Sequence, residues 1–211
     1  MKQFSLILLL LLAISNLFSS RIMEFKGGLL APEGADTGAY FGMAWGTRFD
    51  QIFEYNTSVD FYYKNISEQR KISYQSSTGG NHIVEIKKNT DISTYYLPLQ
   101  FNGRITFPTY TVIRPFIGAG IGWGLLWEDA YVAPNNTYDK VSDVKFYSGF
   151  NWNVSGGVRF PLTSFTHIIG EITYNNGHMK RDYHETDTGI TWDEIDMSGM
   201  GFRVGLQVRG F

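Results

Sequence analysis

The chain contains no cysteine among its 211 residues. Disulfides, thiolate metal sites, cysteine catalysis and cysteine-linked lipid anchors are thereby excluded. Proline is scarce, at six residues, so little interrupts long strands. Neither sign of charge dominates: 18 Lys and Arg stand against 20 Asp and Glu. Such a balance implies no polyanionic partner and no nucleic acid. Past the first twenty residues, no stretch reaches the roughly 18 apolar residues of a membrane-spanning helix. Phosphate loops are missing too. GAGIGWG, residues 118–124, invites a nucleotide reading, but G-x-G-x-x-G requires glycine where Trp123 or Leu125 stands. No G-x-x-x-x-G-K-[ST] loop occurs, and no twelve-residue calcium loop. No cofactor, metal site or catalytic group is expected.

What is present begins with MKQFSLILLLLLAISNLFSS. Lys2, an apolar core from about Phe4 to Ile14 and a small, polar tail make residues 1–20 a secretory signal peptide. Cleavage is expected after Ser15, Ser19 or Ser20. Residues 21–211 then form one domain.

Along that domain the apolar residues recur at every second position, which is the period of a strand. Eight such stretches occur, at 22–31, 38–49, 52–63, 94–107, 113–127, 144–160, 166–176 and 197–208. In 94–107, Tyr95, Leu97, Leu99, Phe101, Ile105 and Phe107 alternate with Tyr96, Gln100, Asn102 and Arg104. Each stretch is about as long as a tilted strand needs to cross a bilayer. The connectors RFDQ, PTYT and PLTS are short. Residues 64–91, 128–143 and 177–195 read as long polar loops, as outer-membrane barrels carry on one side.

A soluble eight-stranded barrel or sandwich also alternates, but with its polar set outward. Two features favour the membrane barrel. Charges sit in mid-strand, where an ordinary core would not tolerate them unpaired. Aromatic residues flank the apolar sets: Phe49, Phe53, Phe107, Phe160 and Phe165 near the turns, and Tyr63, Tyr95, Trp127 and Phe146 near the loops. Such girdles mark the two membrane interfaces.

The stretches STYYLPLQFNGRITF, IRPFIGAGIGWGLLW, FNWNVSGGVRFP and GFRVGLQVRGF resemble strands of the small OmpA/OmpX-type outer-membrane barrels of Gram-negative bacteria. The resemblance covers nearly all of residues 21–211. It implies an all-β, eight-stranded antiparallel up-and-down transmembrane barrel in the bacterial outer membrane. It also implies a monomer among outer-membrane lipid and lipopolysaccharide, delivered by periplasmic chaperones and the barrel-assembly machinery. One departure is visible. Val204, Leu206 and Val208 differ in parity from Phe211, so Gly210 reads as an inserted residue, a bulge.

Eight strands enclose a lumen just wide enough for side chains to fill. Its polar network is expected to comprise Glu24, Lys26, Glu54, Asp60, Gln100, Asn102, Arg104, Arg114, Asn151, Asn153, Arg159, His167, Glu171 and Arg203. Gly118, Gly120, Gly122 and Gly124 face the same lumen and leave room for side chains from other strands, such as Tyr40. The expected role is structural or surface-interacting, in adhesion or envelope integrity. A narrow channel for small molecules is the alternative, and a lipid A-modifying enzyme the third. The enzyme needs a serine–histidine pair within reach of lipid. His178, His184 and Ser198 match that poorly, and His167 with Glu171 read as part of the lumen network. The last loop is acidic through Glu185, Asp187, Asp193, Glu194 and Asp196. Arg70, Lys71, Lys87 and Lys88 of the first long loop are candidates for lipopolysaccharide phosphates.

Overall fold

A computed structural model describes residues 20–50, 52–74, 84–108, 112–132, 141–182 and 192–210. The expected signal peptide up to Ser19, His184, Glu185, Asp187 and Phe211 lie outside the described residues, as do the side chains of Arg70, Lys71, Lys87 and Lys88. Among the described residues all regular structure is strand: β1 (Ser20–Pro32), β2 (Gly38–Arg48), β3 (Phe53–Tyr74), β4 (Val84–Thr106), β5 (Arg114–Val132), β6 (Val141–Pro161), β7 (Thr166–Asp182), β8 (Trp192–Asp196) and β9 (Gly199–Arg209). Each strand from β1 to β7 pairs antiparallel with its successor, and β9 closes the wall between β7 and β1. β8 pairs with β7 in the register that β9 continues, so the two pieces form one eighth strand, interrupted at Met197 and Ser198. The result is a closed, eight-stranded, up-and-down antiparallel barrel.

The wall is staggered. Paired neighbours lead from Ser20 through Arg48, Glu54, Arg104, Gly118, Ser155, Thr173 and Gly201 to Leu30, ten residues further along β1. With that shear, eight strands tilt by about 40° and leave a lumen that side chains alone can fill.

The two faces of the wall differ throughout. Phe25, Leu29, Phe41, Trp45, Phe61, Leu99, Phe101, Ile121, Trp123, Phe150, Ile172, Phe202 and Val204 point outward and are exposed. Their neighbours Glu24, Tyr40, Asp60, Gln100, Asn151, Glu171 and Arg203 are buried in the lumen. β-Branched and aromatic residues suit a pleated surface covered on one side. Here that cover is absent from the chain itself. A band of apolar side chains encircling the molecule demands an apolar surrounding.

The long connectors differ from the expected loops. β3 and β4 stay paired out to Tyr74 and Val84, and β5 and β6 out to Val132 and Val141. These hairpins continue the ladder past the apolar band. The backbone bonds of the ladder persist there although the two-residue apolar period of the sequence has faded.

Gly210 also differs from expectation. The β1–β9 register runs without a break from Pro32 opposite Gly199 to Ile22 opposite Arg209, and the Gly210 N–H donates to the Arg21 carbonyl at 3.1 Å. There is no bulge. Gly210 instead adopts φ +79°, a left-handed conformation that any side chain would disfavour.

The β2–β3 turn is built on Asp50. Its Oδ1 accepts from Phe53 N at 2.6 Å and from Ile52 N at 2.7 Å, while its carbonyl accepts from Arg48 Nε at 2.6 Å. The bond from Phe53, then that from Ile52, holds the Asp50 carboxyl below the usual carboxylate range. A depressed folded value stabilises above the unfolded pKa, and that stabilisation is lost as pH falls through the folded value. Asp50→Ala is therefore expected to lower stability at neutral pH, with the deficit vanishing in acid. Urea unfolding at both pH values measures it.

Two glycines offer a sharper contrast. A β-carbon on Gly122 would strike the Leu99 carbonyl and lie 2.8 Å from Gln100 Cα, whereas one on Gly156 meets nothing within 4 Å. Gly122→Ala should cost about 1–3 kcal/mol, as overpacking does. Gly156→Ala should be close to silent in the same unfolding assay.

Candidate functional site

The lumen is filled in layers, from the short-turn end to the loop end. At the turn end, Arg159 grips Glu54 fork to fork, Nη1 to Oε1 at 2.9 Å and Nη2 to Oε2 at 2.7 Å. Arg48 Nε at 3.5 Å, Arg209 Nη2 at 3.6 Å and Arg104 Nη1 at 3.7 Å approach the same carboxylate. Glu54 and Arg159 are both fully buried. Paired guanidinium and carboxylate forks are the strong form of this contact.

Above them lies a ring of ion pairs. Arg104 bridges Glu24 and Glu171, with its Nη2 at 3.2 Å and 3.3 Å from their carboxylates. Lys26 Nζ stands 3.5 Å from Glu24 and 3.4 Å from Glu171. Arg203 joins Asp60, at 2.7 Å, to Glu171. Gln207 Nε2 donates to Glu24 at 2.8 Å. Three carboxylates meet three cations in this ring, and the Phe116 ring lies 4.4 Å below the Arg104 guanidinium.

An amide layer follows. Asn102 Nδ2 donates to Asn56 Oδ1 and Ser58 Oγ, both at 3.1 Å. Asn153 Nδ2 donates to Gln100 Oε1 at 2.8 Å and to Asn102 Oδ1 at 2.9 Å. Asn151 Nδ2 donates to Tyr96 OH at 3.0 Å. Gly120 pairs with Asn102 on one side and Asn153 on the other. A β-carbon there would fall on Asn102 Oδ1, with Asn153 Nδ2 at 2.7 Å. At Gly124 it would lie 2.7 Å from the Tyr96 ring and 2.8 Å from Met179 Sδ. Gly120 and Gly124 thus leave room for Asn102 and Tyr96 of β4, Asn153 of β6 and Met179 of β7.

Tyrosines and apolar residues cap the loop end. Leu30, Tyr40, Tyr62, Tyr96, Leu126, Tyr147, Met179 and Met197 form one buried cluster. Their polar tips are partly satisfied: Tyr62 donates to the Asp36 carbonyl, and Tyr147 to Asp193 at 2.8 Å. Arg203 stacks over the Tyr40 ring at 4.8 Å. Between the ionic ring and the amide layer lies a polar cavity, bordered by Lys26, Asn56, Asn102, Arg104, Ser155 and Arg203, with room for about one water molecule.

Of the expected lumen residues, Glu24, Lys26, Glu54, Asp60, Gln100, Asn102, Arg104, Asn151, Asn153, Arg159, Glu171 and Arg203 meet in these layers. Arg114 does not join them; it is exposed at the turn end of β5. His167 is buried at the turn end, while Glu171 is engaged by Lys26, Arg104 and Arg203, so they make no acid–base pair. His178 is exposed and lies 3.0 Å from Glu194. The Ser198 Oγ accepts from Gly177 N at 3.2 Å. Arg48, Arg209, Phe116, Met179 and Met197 were not anticipated. Parity alone marks Arg48, Phe116 and Arg209 as inward, and the flanking glycines of β5 hint at a filled interior beside Phe116.

On the outer face the aromatic side chains associate at both rims. Phe49 stacks on Phe53 at 5.9 Å and packs on Tyr55 at 5.3 Å. Tyr63 meets Tyr95 at 5.1 Å, and Trp127 meets Phe146 at 6.2 Å. Phe107, Phe160 and Phe165 stand exposed at the turn end.

Glu54→Gln would remove the carboxylate shared by four guanidinium groups. Breaking a buried pair from one side typically costs about 3–5 kcal/mol. Unfolding of the refolded variant in urea is expected to show a loss of that size.

No protein-family model matches the chain, and no curated protein matches it in sequence. Solved structures do resemble it. A major outer membrane protein from Thermus thermophilus is 9% identical with a TM-score of 0.55, over 90% of this chain and 99% of that one. Neisserial surface protein A is 14% identical with a TM-score of 0.49, over 90% of this chain and 96% of that one. The outer membrane protein OprG from Pseudomonas aeruginosa is 10% identical with a TM-score of 0.49, over 91% and 95%. By its eight closed strands, its polar filled lumen and its apolar outer band, the chain has the fold of a small outer-membrane β-barrel.

Proposed function

We propose that the protein is an integral barrel of the bacterial outer membrane with a structural or surface-interaction role, serving adhesion or envelope integrity. Residues 1–20 direct export and are removed, and residues 21–211 fold as a monomer among lipid and lipopolysaccharide. Periplasmic chaperones and the barrel-assembly machinery deliver it. One observation carries this reading over a channel: the lumen is crossed by layers of paired side chains, and the polar cavity between two of them has room for only about one water molecule. What remains for interaction is the loop end, where the β3–β4 and β5–β6 hairpins extend beyond the barrel proper. We propose no reaction for the barrel.

The expected behaviour is that of a heat-modifiable protein in the outer-membrane fraction, without steady ion conductance when the purified barrel is reconstituted in a planar bilayer. Sustained conductance steps would reject the plugged lumen in favour of a channel. Recovery of the mature chain as a soluble periplasmic species would reject the membrane reading.

A further inference from the structure

The amide layer of the lumen runs in one direction. Asn153 Nδ2 donates to Asn102 Oδ1 at 2.9 Å, and Asn102 Nδ2 donates to Asn56 Oδ1 at 3.1 Å. Each amide fixes the orientation of the next. Turning Asn56 over would set its Nδ2 against the donating Nδ2 of Asn102. Asn102 is held in the same way by Asn153, and Asn153 by its bond to Gln100 Oε1 at 2.8 Å. The chain ends at Asn56, a residue only 2% exposed, whose own Nδ2 is buried and has no acceptor among the described residues. An amide donor shut away from water without an acceptor is costly.

Asn56 borders the polar cavity between the amide layer and the ionic ring. The ring contributes Lys26, Arg104 and Arg203 to the cavity wall, all of them donors. The one carboxylate on that wall, Glu171, already accepts from all three. Lys26 is the most loosely held, with contacts of 3.4 and 3.5 Å to Glu171 and 3.5 Å to Glu24. Ser155 brings a hydroxyl to the same wall. Gly118 keeps the space open. A β-carbon there would lie 2.9 Å from Ser155 Oγ and 3.8 Å from Arg104 Cβ, whereas the room at Gly120 is taken by Asn102 and Asn153.

We infer that this cavity binds one water molecule, which accepts hydrogen bonds from Asn56 Nδ2 and Lys26 Nζ and donates one to Ser155 Oγ. The room is that of a single water, and three polar partners are the usual number for a buried one. Water suits the site better than an anion, because the three cations of the ring already meet Glu24, Asp60 and Glu171. The bound water gives the amide layer a second link to the ionic ring, beside the bond from Ser58 to Asp60 at 3.3 Å. Paired side chains lie on both sides of the cavity, so exchange with bulk solvent waits on opening of the network. The site is separate from the surface role of the loop end.

The test uses the whole mature barrel, labelled with nitrogen-15 and refolded in detergent micelles. Magnetisation transfer from water to the Asn56 side-chain amide is read by NMR, with Asn56→Leu identifying that resonance. A transfer with the sign of a long-lived water is expected in the parent. Gly118→Ala places a methyl group in the cavity and should abolish it, while Gly156→Ala on the outer face leaves it unchanged. Retained heat-modifiable mobility certifies folding. Ser155→Ala removes one partner and should shorten the residence time at least tenfold by oxygen-17 relaxation dispersion, which keeps the test alive if Gly118→Ala does not fold. Crystals grown with bromide in place of chloride form the last arm. Anomalous density in the cavity would assign the site to an anion and reject the water. Absence of transfer in the parent, or equal transfer in the parent and in folded Gly118→Ala, would overturn the inference.

Discussion

A lumen too narrow for bulk water must satisfy most of the polar groups it encloses with other side chains. That single constraint organises the structure. Eight strands with a ten-residue stagger set the width, and the width decides what stands inside. Charges answer charges across the bore: Glu24 to Arg104, Glu54 to Arg159, Asp60 to Arg203. Amides then answer amides, and tyrosines close the loop end with their rings inward. A buried network of this kind holds only when nearly all of its members are satisfied. The outer face obeys the opposite demand. Across the apolar band of the described residues it presents aliphatic and aromatic side chains.

Much of this was legible in the residues because the two demands alternate with the pleat. Wherever one face of a strand meets lipid and the other meets the lumen, the period of two is written plainly, as in Leu99, Gln100, Phe101 and Asn102. Beyond the apolar band the same strands continue but the writing stops. Residues 64–74 and 84–91 are paired backbone, yet their polar composition carries no two-residue apolar period that would separate strand from loop. The inward set was legible as a set, yet its partners were not. No local pattern says that Arg104 bridges Glu24 and Glu171, since those contacts depend on the tilt that brings distant strands to one level. Arg114 shows the limit of parity. It points the right way, but it lies at the rim, where inward no longer means buried.

The glycines of β5 answer to the same constraint of width. Four positions without side chains sit between two strands that carry asparagine, glutamine, tyrosine and arginine, and the bulk of one side is accommodated in the absence on the other. The run that looks like a cofactor loop is a packing device. It places Asn102 and Asn153 within bonding distance of each other across an empty strand position. Gly210 serves a different need, ending the last strand in a backbone conformation that other residues avoid.

The ladder that closes the wall, β1 on β9, also divides the ionic ring. Glu24 and Lys26 belong to the first strand, and Arg203 and Gln207 to the last. Opening that seam would separate Gln207 from Glu24 and expose the whole ring to lipid or to water at once. Such a barrel has no cheap partly open state. Its unfolding should be a single steep step, and its assembly must keep the charged interior hydrated until the first and last strands meet. The rate of closure is then governed by how fast that water leaves, rather than by how fast any one hairpin forms.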